Sequence, residues 1–240
     1  MLVDIRGLSS VELKEAIVDL GEKPFRAKQL EEWIWTKSAS SFDEMTNLSL
    51  QFREALKEKF YLKRIRLSER QKSSDGTVKC AFEVEKKRPN DLSVVEGVLI
   101  PTKSRMTACI SSQVGCSLAC KFCATGRLKL MKNLSAAEIY DQVENIASIA
   151  REEYDTNLTN IVYMGMGEPL LNYSNMITSV EKICGTPGLG MSPKRITVST
   201  AGLAKAIKRL GDDEVKFNLA LSLHAANDEK RSEIMAINDT

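Results

Sequence analysis

From about residue 102 onward the chain repeats one rhythm: a short β-branched strand, a polar or glycine-containing string, then a helix. TACIS leads into a cysteine-rich loop and a helix whose start carries the Ser135-x-x-Glu138 capping pattern. NIVYM leads to GMGEP and a helix from about Asn172 to Cys184. RITVST leads to AG and a helix ending near Leu210, and FNLALSLH to AAND and a helix beginning near Asp228. Such alternation predicts an α/β fold with a parallel sheet and right-handed crossovers. Each unusual polar string follows the C-terminal end of its strand, the rim on which barrels of this type build their sites.

The chain before this point reads differently. Residues 1–75 are expected to form a small helical domain. Ser9-x-x-Glu12 caps VELKEAIVDL, and Gly21 stops it. Pro24 suits the start of a second helix, with Phe25, Leu30, Trp33 and Ile34 toward a core, Trp35 read as core with a stacking surface for a base as the alternative, and a third helix spans about Leu50 to Phe60. Residues 76–101 read as a β-hairpin, TVKCAFEVEK and LSVVEGVLIP around a polar turn at Arg88-Pro89-Asn90-Asp91. Cys80 falls on the apolar face and reads as core. Glu96 interrupts an apolar run, where a carboxylate is most often an edge-strand charge pointing to solvent. Residues 102–240 hold the strand–helix repeats.

At 43% hydrophobic and 28% charged residues the chain fits a globular protein. Its start, MLVDIRGLSSVELKEA, has no apolar signal-peptide core, and no stretch approaches the ~20 apolar residues of a membrane span. The net charge of +2 decides little, but two basic runs stand out. The first is Arg53, Lys57, Lys59, Lys63, Arg64, Arg66 and Arg70, among Glu54, Glu58 and Glu69, for which a solvated face is the plainer reading. The second, Lys121, Arg127, Lys129 and Lys132, lies among cysteines and is expected to meet phosphate backbones.

Four of the six cysteines fall in CISSQVGCSLACKFCATG, Cys109 to Gly126, three of them spaced C-x3-C-x2-C at Cys116, Cys120 and Cys123. The only histidine, His224, is far downstream. Three thiolates in a short loop can converge on a soft metal centre with one coordination position left open. A structural zinc or redox cysteine cluster is the alternative. Clustered reduced cysteines without a secretion signal place the protein in the cytoplasm. No phosphate-binding GxxxxGK[ST] occurs, and the glycines of GTPGLG have the wrong spacing for a dinucleotide fingerprint. The lone histidine also argues against Ser-His or Cys-His nucleophile chemistry.

The C-x3-C-x2-C string, with Phe122 before its third cysteine, resembles the cluster loop of the radical S-adenosylmethionine (SAM) superfamily. With SSQVGC before it, GMGEPLLN after it, and PFRAKQLEEWIW and RSEIMAIND toward the two ends, the chain is similar to the RlmN family of dual-specificity 23S rRNA/tRNA adenine-C2 methyltransferases. The resemblance implies a [4Fe-4S] cluster on Cys116, Cys120 and Cys123, with SAM chelated by the fourth iron. It implies SAM contacts at Gly167, Glu168, Ser199, Ser222, Leu223 and His224, and Glu96 as the base that takes a proton from adenine. In the family one SAM methylates a cysteine near the C-terminus, and a second yields the radical that activates that methyl group for addition to carbon 2. A disulfide then releases the product. Cys109 matches the resolving cysteine, although its position alone equally suits a buried strand cysteine.

The resemblance further implies 23S rRNA and tRNA as partners, an external flavodoxin-like electron donor, and an N-terminal domain that helps hold RNA. A barrel of the family has six strand–helix units and this chain shows four, so the fold is expected to be a partial (β/α) radical SAM barrel. The methyl-carrying segment has no match, so the chain is expected to bind a cluster without methylating RNA. A related adenine-C8 methyltransferase and a non-catalytic zinc-bound RNA-binding module are the competing readings.

Overall fold

The computed structural model of the protein describes residues 2–86 and 91–239, which fall into two compact units. The first comprises Met1–Arg64 and Glu181–Met191. Helix α1 (Ser10–Asp19) opens on a complete capping box, in which Ser9 Oγ accepts from the Glu12 N–H at 3.2 Å and Glu12 accepts from the Ser9 N–H at 2.7 Å. Helix α2 (Arg26–Glu31) continues into a π-helical turn, Glu32–Thr36, and α3 (Leu50–Lys59) is capped by Ser49. Strands β1 (Val3–Asp4) and β2 (Phe60–Tyr61) pair in parallel. Leu13, Ile17, Leu30, Ile34, Trp35, Phe52 and Leu56 form the core. Phe25, expected there, is 56% exposed. It is the N-cap of α2, ahead of the helical spacing that aims Leu30 and Ile34 inward, and its ring lies 5.2 Å from the Arg26 guanidinium. Segment 181–191 joins this unit through Lys182, 3.5 Å from the Glu31 carboxylate and over the Trp35 ring.

The second unit, Ile65–Val180 with Ser192–Thr240, is built on a sheet. Strands β3 (Arg66–Lys72), β4 (Val78–Glu85), β5 (Leu92–Pro101) and β6 (Met106–Cys109) follow one another antiparallel. Two short strands, β7 (Gln113–Val114) and β8 (Lys132–Asn133), pair separately. Then β9 (Asn160–Tyr163), β10 (Ile196–Thr200) and β11 (Asn218–Leu221) add in parallel beside β6, giving the order β11-β10-β9-β6-β5-β4-β3. Helices α4 (Ala136–Tyr154), α5 (Tyr173–Cys184) and α6 (Ala204–Asp212) make the crossovers, and α7 (Asp228–Ile234) follows β11. Four parallel strands, each followed by a helix, are the α/β alternation that the rhythm predicts, and they fit the partial (β/α) barrel that the resemblance implies. Arg66–Lys72, within the stretch assigned to the helical domain, is strand instead. The hairpin is therefore a three-stranded extension. Of its polar turn, residues 88–90 lie outside the described residues, while Asp91 accepts from the Lys86 N–H through its carbonyl at 2.8 Å.

Residues paired across a ladder share a face, and the face alternates along each strand. On one face Val78, Cys80, Phe82, Val95, Leu99, Ala108, Ile161, Ile196 and Val198 are buried. The crossover helix α4 covers it, for a Cβ added at Gly97 would lie 3.0 Å from Ile146. The other face carries Lys79, Glu96, Val98, Cys109, Val162, Thr197 and Ser199. The cap of α4 repeats that of α1: Ser135 Oγ accepts from the Glu138 N–H at 3.2 Å and Glu138 accepts from the Ser135 N–H at 2.9 Å. Ser135→Ala is expected to lower stability by about 1 kcal/mol, read as a shift in the urea midpoint. No helix among the described residues is long and apolar enough to cross a membrane.

Candidate metal and cofactor site

The β7–β8 ladder closes the base of a loop that carries all three spaced cysteines. Just inside it the Met131 N–H donates to Val114 O at 2.9 Å and the Cys116 N–H to Leu128 O at 3.3 Å. Gly115 makes this approach possible: its φ is +75°, and a Cβ there would stand 2.1 Å from Lys129 O. Farther on, the Cys123 N–H donates to Cys120 O at 3.1 Å, and the Lys121 N–H to Ile234 O at 3.0 Å, tying the loop to the end of α7. The three thiols are half-buried and free. Burial raises the thiol pKa of Cys116 and Cys120, and neighbouring cysteines add to the shift. A cationic metal centre would reverse it, since a coordinating thiol is deprotonated. Among the described residues no group of three His, Cys, Asp or Glu side chains is gathered around the position of a single ion. A cluster does not require that convergence, because each thiolate serves a different iron.

A buried polar frame holds the start of this loop against the loop after β9. The Ser111 N–H donates to Gln142 Oε1 at 2.9 Å, and Gln142 Nε2 returns a bond to Ser111 O at 3.0 Å. Ser111 Oγ donates to Glu96 O at 2.6 Å and accepts from the Met166 N–H at 2.8 Å. Asn172 Nδ2 spans Ser112 O at 2.8 Å and Leu134 O at 2.7 Å. Ser111, Ser112, Gln113, Gln142 and Asn172 are all buried. Sequence reasoning assigned none of them individually. The only signals were the strings SSQVGC and GEPLLN that contain four of them.

GMGEP follows β9 directly. Gly167 has φ +94°, and a Cβ there would lie 2.5 Å from Gln113 Cβ. The Glu168 N–H donates to Gln113 Oε1 at 2.8 Å. The buried Glu168 carboxylate accepts from the Leu170 N–H at 3.0 Å and, across to the turn after β10, from the Ala201 N–H at 2.7 Å. Burial raises its pKa, and these donors oppose the shift. At the ends of β10 and β11 the Ser199 and Ser222 hydroxyls meet at 3.2 Å. His224 has φ +58°, and its ring lies 4.1 Å from that of Phe122 in the cysteine loop. Leu223 beside it is exposed. The structure thus gathers Gly167, Glu168, Ser199, Ser222 and His224 at one rim of the sheet with the cysteine loop.

Glu96 faces solvent as expected, but on an internal strand rather than an edge, since β5 lies between β6 and β4; its carboxylate is 2.6 Å from Lys79 Nζ. Cys109 pairs with Val98 two residues away, so Glu96 and Cys109 share the face opposite α4. Burial raises the Cys109 thiol pKa, partly offset by a hydrogen bond from the Met164 backbone. All six cysteines are free, so the disulfide implied for Cys109 is not formed. Cys80 is core as expected, its thiol pushed up to about 11 by burial. In the first basic run Arg53 and Lys57 bind Asp43, Arg64 binds Ala39 O and Ile34 O, Arg66 pairs with Glu83 and Arg70 with Glu152. In the second, Lys132 pairs with Glu138 at 2.6 Å, whereas Lys121, Arg127 and Lys129 are exposed.

Residues 110–239 match the Radical SAM superfamily, and residues 3–62 the ribosomal RNA large subunit methyltransferase N-terminal domain. The chain is 54% identical over 237 residues to a probable dual-specificity RNA methyltransferase RlmN of Christiangramia forsetii, covering 99% of this chain and 66% of that protein. It is 56% identical over 236 residues to the protein of the same description from Cytophaga hutchinsonii, covering 98% of this chain and 63% of that one. The crystal structure of a radical SAM methyltransferase from Sphaerobacter thermophilus superimposes with a TM-score of 0.87 at 37% identity, covering 99% of this chain and 68% of that one. The chain belongs to the RlmN family of the radical SAM superfamily. It spans less than two thirds of the length of the two curated relatives.

Proposed function

We propose that this chain contributes the cluster- and SAM-binding part of an enzyme that methylates carbon 2 of adenine in 23S rRNA and tRNA. The observation that carries the reading is the shared placement of the cysteine loop, GMGEP and the ends of β10 and β11 at one rim of the sheet. The donor set fits the group: three free thiols in one loop, with a buried carboxylate and two hydroxyls beside them. Cys116, Cys120 and Cys123 would hold a [4Fe-4S] cluster. Gly167, Glu168, Ser199, Ser222, Leu223 and His224 would line the SAM site. When bound, cluster and SAM supply a one-electron cleavage that can activate a C–H bond.

Glu168 orients the turn after β10 through Ala201, and Gly167, packed against Gln113, would let backbone come close to the SAM amino group. Glu96 is the proton acceptor at adenine. Its carboxylate is exposed on the face of the sheet opposite α4, 2.6 Å from Lys79 Nζ. Cys109 is the resolving thiol. Lys121, Arg127 and Lys129, exposed on the cysteine loop, favour a phosphate backbone nearby, and the helical N-terminal domain assists in holding RNA. A flavodoxin-like protein supplies the electron, and the thiols require a reducing compartment, the cytoplasm.

The test uses a form of the protein that includes the methyl-carrying cysteine of the family. Reconstituted anaerobically with SAM, reductant and tRNA or a 23S rRNA fragment, it is expected to yield 2-methyladenosine on nucleoside digestion. Methylation at carbon 8 instead would move the protein to the related resistance enzymes. Glu96→Gln is expected to lower product formation about a hundredfold with iron content unchanged. Full activity of that variant would remove Glu96 from the reaction.

A further inference from the structure

Helix α7 sends one side chain across two rim loops. Arg231 Nη2 donates to Ala201 O at 2.5 Å, in the turn after β10, and to Ser222 O at 3.3 Å, after β11. Its Nε donates to Leu223 O at 3.2 Å. Nη1 donates to Asn238 Oδ1, and Asn238 is itself held by donating to Ser232 Oγ at 2.8 Å and Asp228 O at 3.2 Å. The guanidinium is therefore oriented from behind and bonded to three loop carbonyls in front.

Ala201 is held from both sides. Its N–H donates to the Glu168 carboxylate at 2.7 Å while its carbonyl accepts from Arg231. Between the same two turns the Ser222 N–H donates to Thr200 O at 2.9 Å, and the Ser199 and Ser222 hydroxyls stand 3.2 Å apart. A planar guanidinium with five donors in a fixed fork can hold carbonyls of two separate loops at once; a lysine ammonium offers a compact point charge on a flexible stem.

We propose that Arg231 is a positioning residue for the cofactor site: by tying the turn after β10 to the turn after β11, it sets the spacing of Ser199, Ser222 and the Leu223–His224 backbone against SAM. This inference rests on the reading of that rim as the SAM site. Arg231 touches no reacting atom in it and acts through the loop carbonyls.

The experiment measures SAM affinity by calorimetry on the anaerobically reconstituted protein, for wild type, Arg231→Met, Arg231→Lys and Arg231→Ala. Iron content and the circular dichroism spectrum are recorded for each. Arg231→Met is expected to weaken SAM binding on the order of tenfold or more with iron unchanged, since charged hydrogen bonds to both loops are lost. Arg231→Lys is expected to recover only part of that loss. Adding methylguanidinium to Arg231→Ala is expected to tighten SAM binding, a response that a merely unfolded variant would not give. Wild-type affinity in Arg231→Met overturns the proposal; if that variant does not fold, wild-type affinity in Arg231→Lys overturns it instead. A wild-type protein that takes up iron but binds no SAM overturns the SAM reading of the rim, and this inference with it.

Discussion

Cys120→Ala is expected to hold less than about a tenth of the iron of the wild type, against about four irons per chain in the reconstituted wild-type protein. The effect is large because the loop has no spare ligand. Each of the three spaced thiols would serve its own iron, and losing one leaves an iron open to solvent and reductant. The other cysteines lie outside the loop: Cys80 is buried on the face under α4, Cys109 lies at the end of β6 and Cys184 at the end of α5. Iron and acid-labile sulfide, measured after desalting under nitrogen, check it. Retention of one zinc per chain by the variant, with no dependence on Cys120, would speak for a structural role of the remaining cysteines.

Gly115→Ala is expected to destabilise the protein by about 2–5 kcal/mol and to lower cluster retention in proportion. Two costs combine. A non-glycine residue at φ +75° is strained by roughly 1–3 kcal/mol, and the new Cβ would stand 2.1 Å from the backbone oxygen of Lys129. That oxygen belongs to the returning arm of the loop and cannot rotate away as a side chain can. Relief requires opening the β7–β8 ladder, and with it the bonds that hold Cys116 against Leu128. Urea denaturation and the iron content of the folded fraction separate the two consequences. A variant of wild-type stability would show that this loop is far more pliant than its hydrogen bonds indicate.

The parallel strands and their helices were legible because they carry β-branched runs and capping pairs, as at Ser135 and Glu138. Strand β3 was not: RLSERQK is charged on both faces and almost wholly exposed, so alternation had nothing to mark. Its pairing with β4 depends on backbone bonds and on pairs such as Arg66 with Glu83. Likewise, nothing in GTPGLGM announces that residues 181–191 belong with the helical unit, because that association is long-range. The cysteine loop and the rim strings were legible as chemistry. What orients them was less so, since Gln142 and Arg231 read from sequence as ordinary helix polarity, and Ser111 as the end of a strand. Burial and partners, which only the fold supplies, turn these residues into a frame. The basic run at 51–70 is read from charge alone. Its plainer reading is a solvated face, and Arg53, Lys57, Arg64, Arg66 and Arg70 do bind carboxylates or carbonyls within their own units.

The most direct test is electron paramagnetic resonance of the wild-type protein, reconstituted with iron and sulfide under anaerobic conditions and reduced with dithionite, before and after SAM is added. Three thiolates with one open iron predict a reduced-cluster signal whose shape changes on adding SAM, because the cofactor would bind that iron directly. A zinc-bound protein with no such signal, or a cluster whose spectrum is indifferent to saturating SAM, would contradict the account.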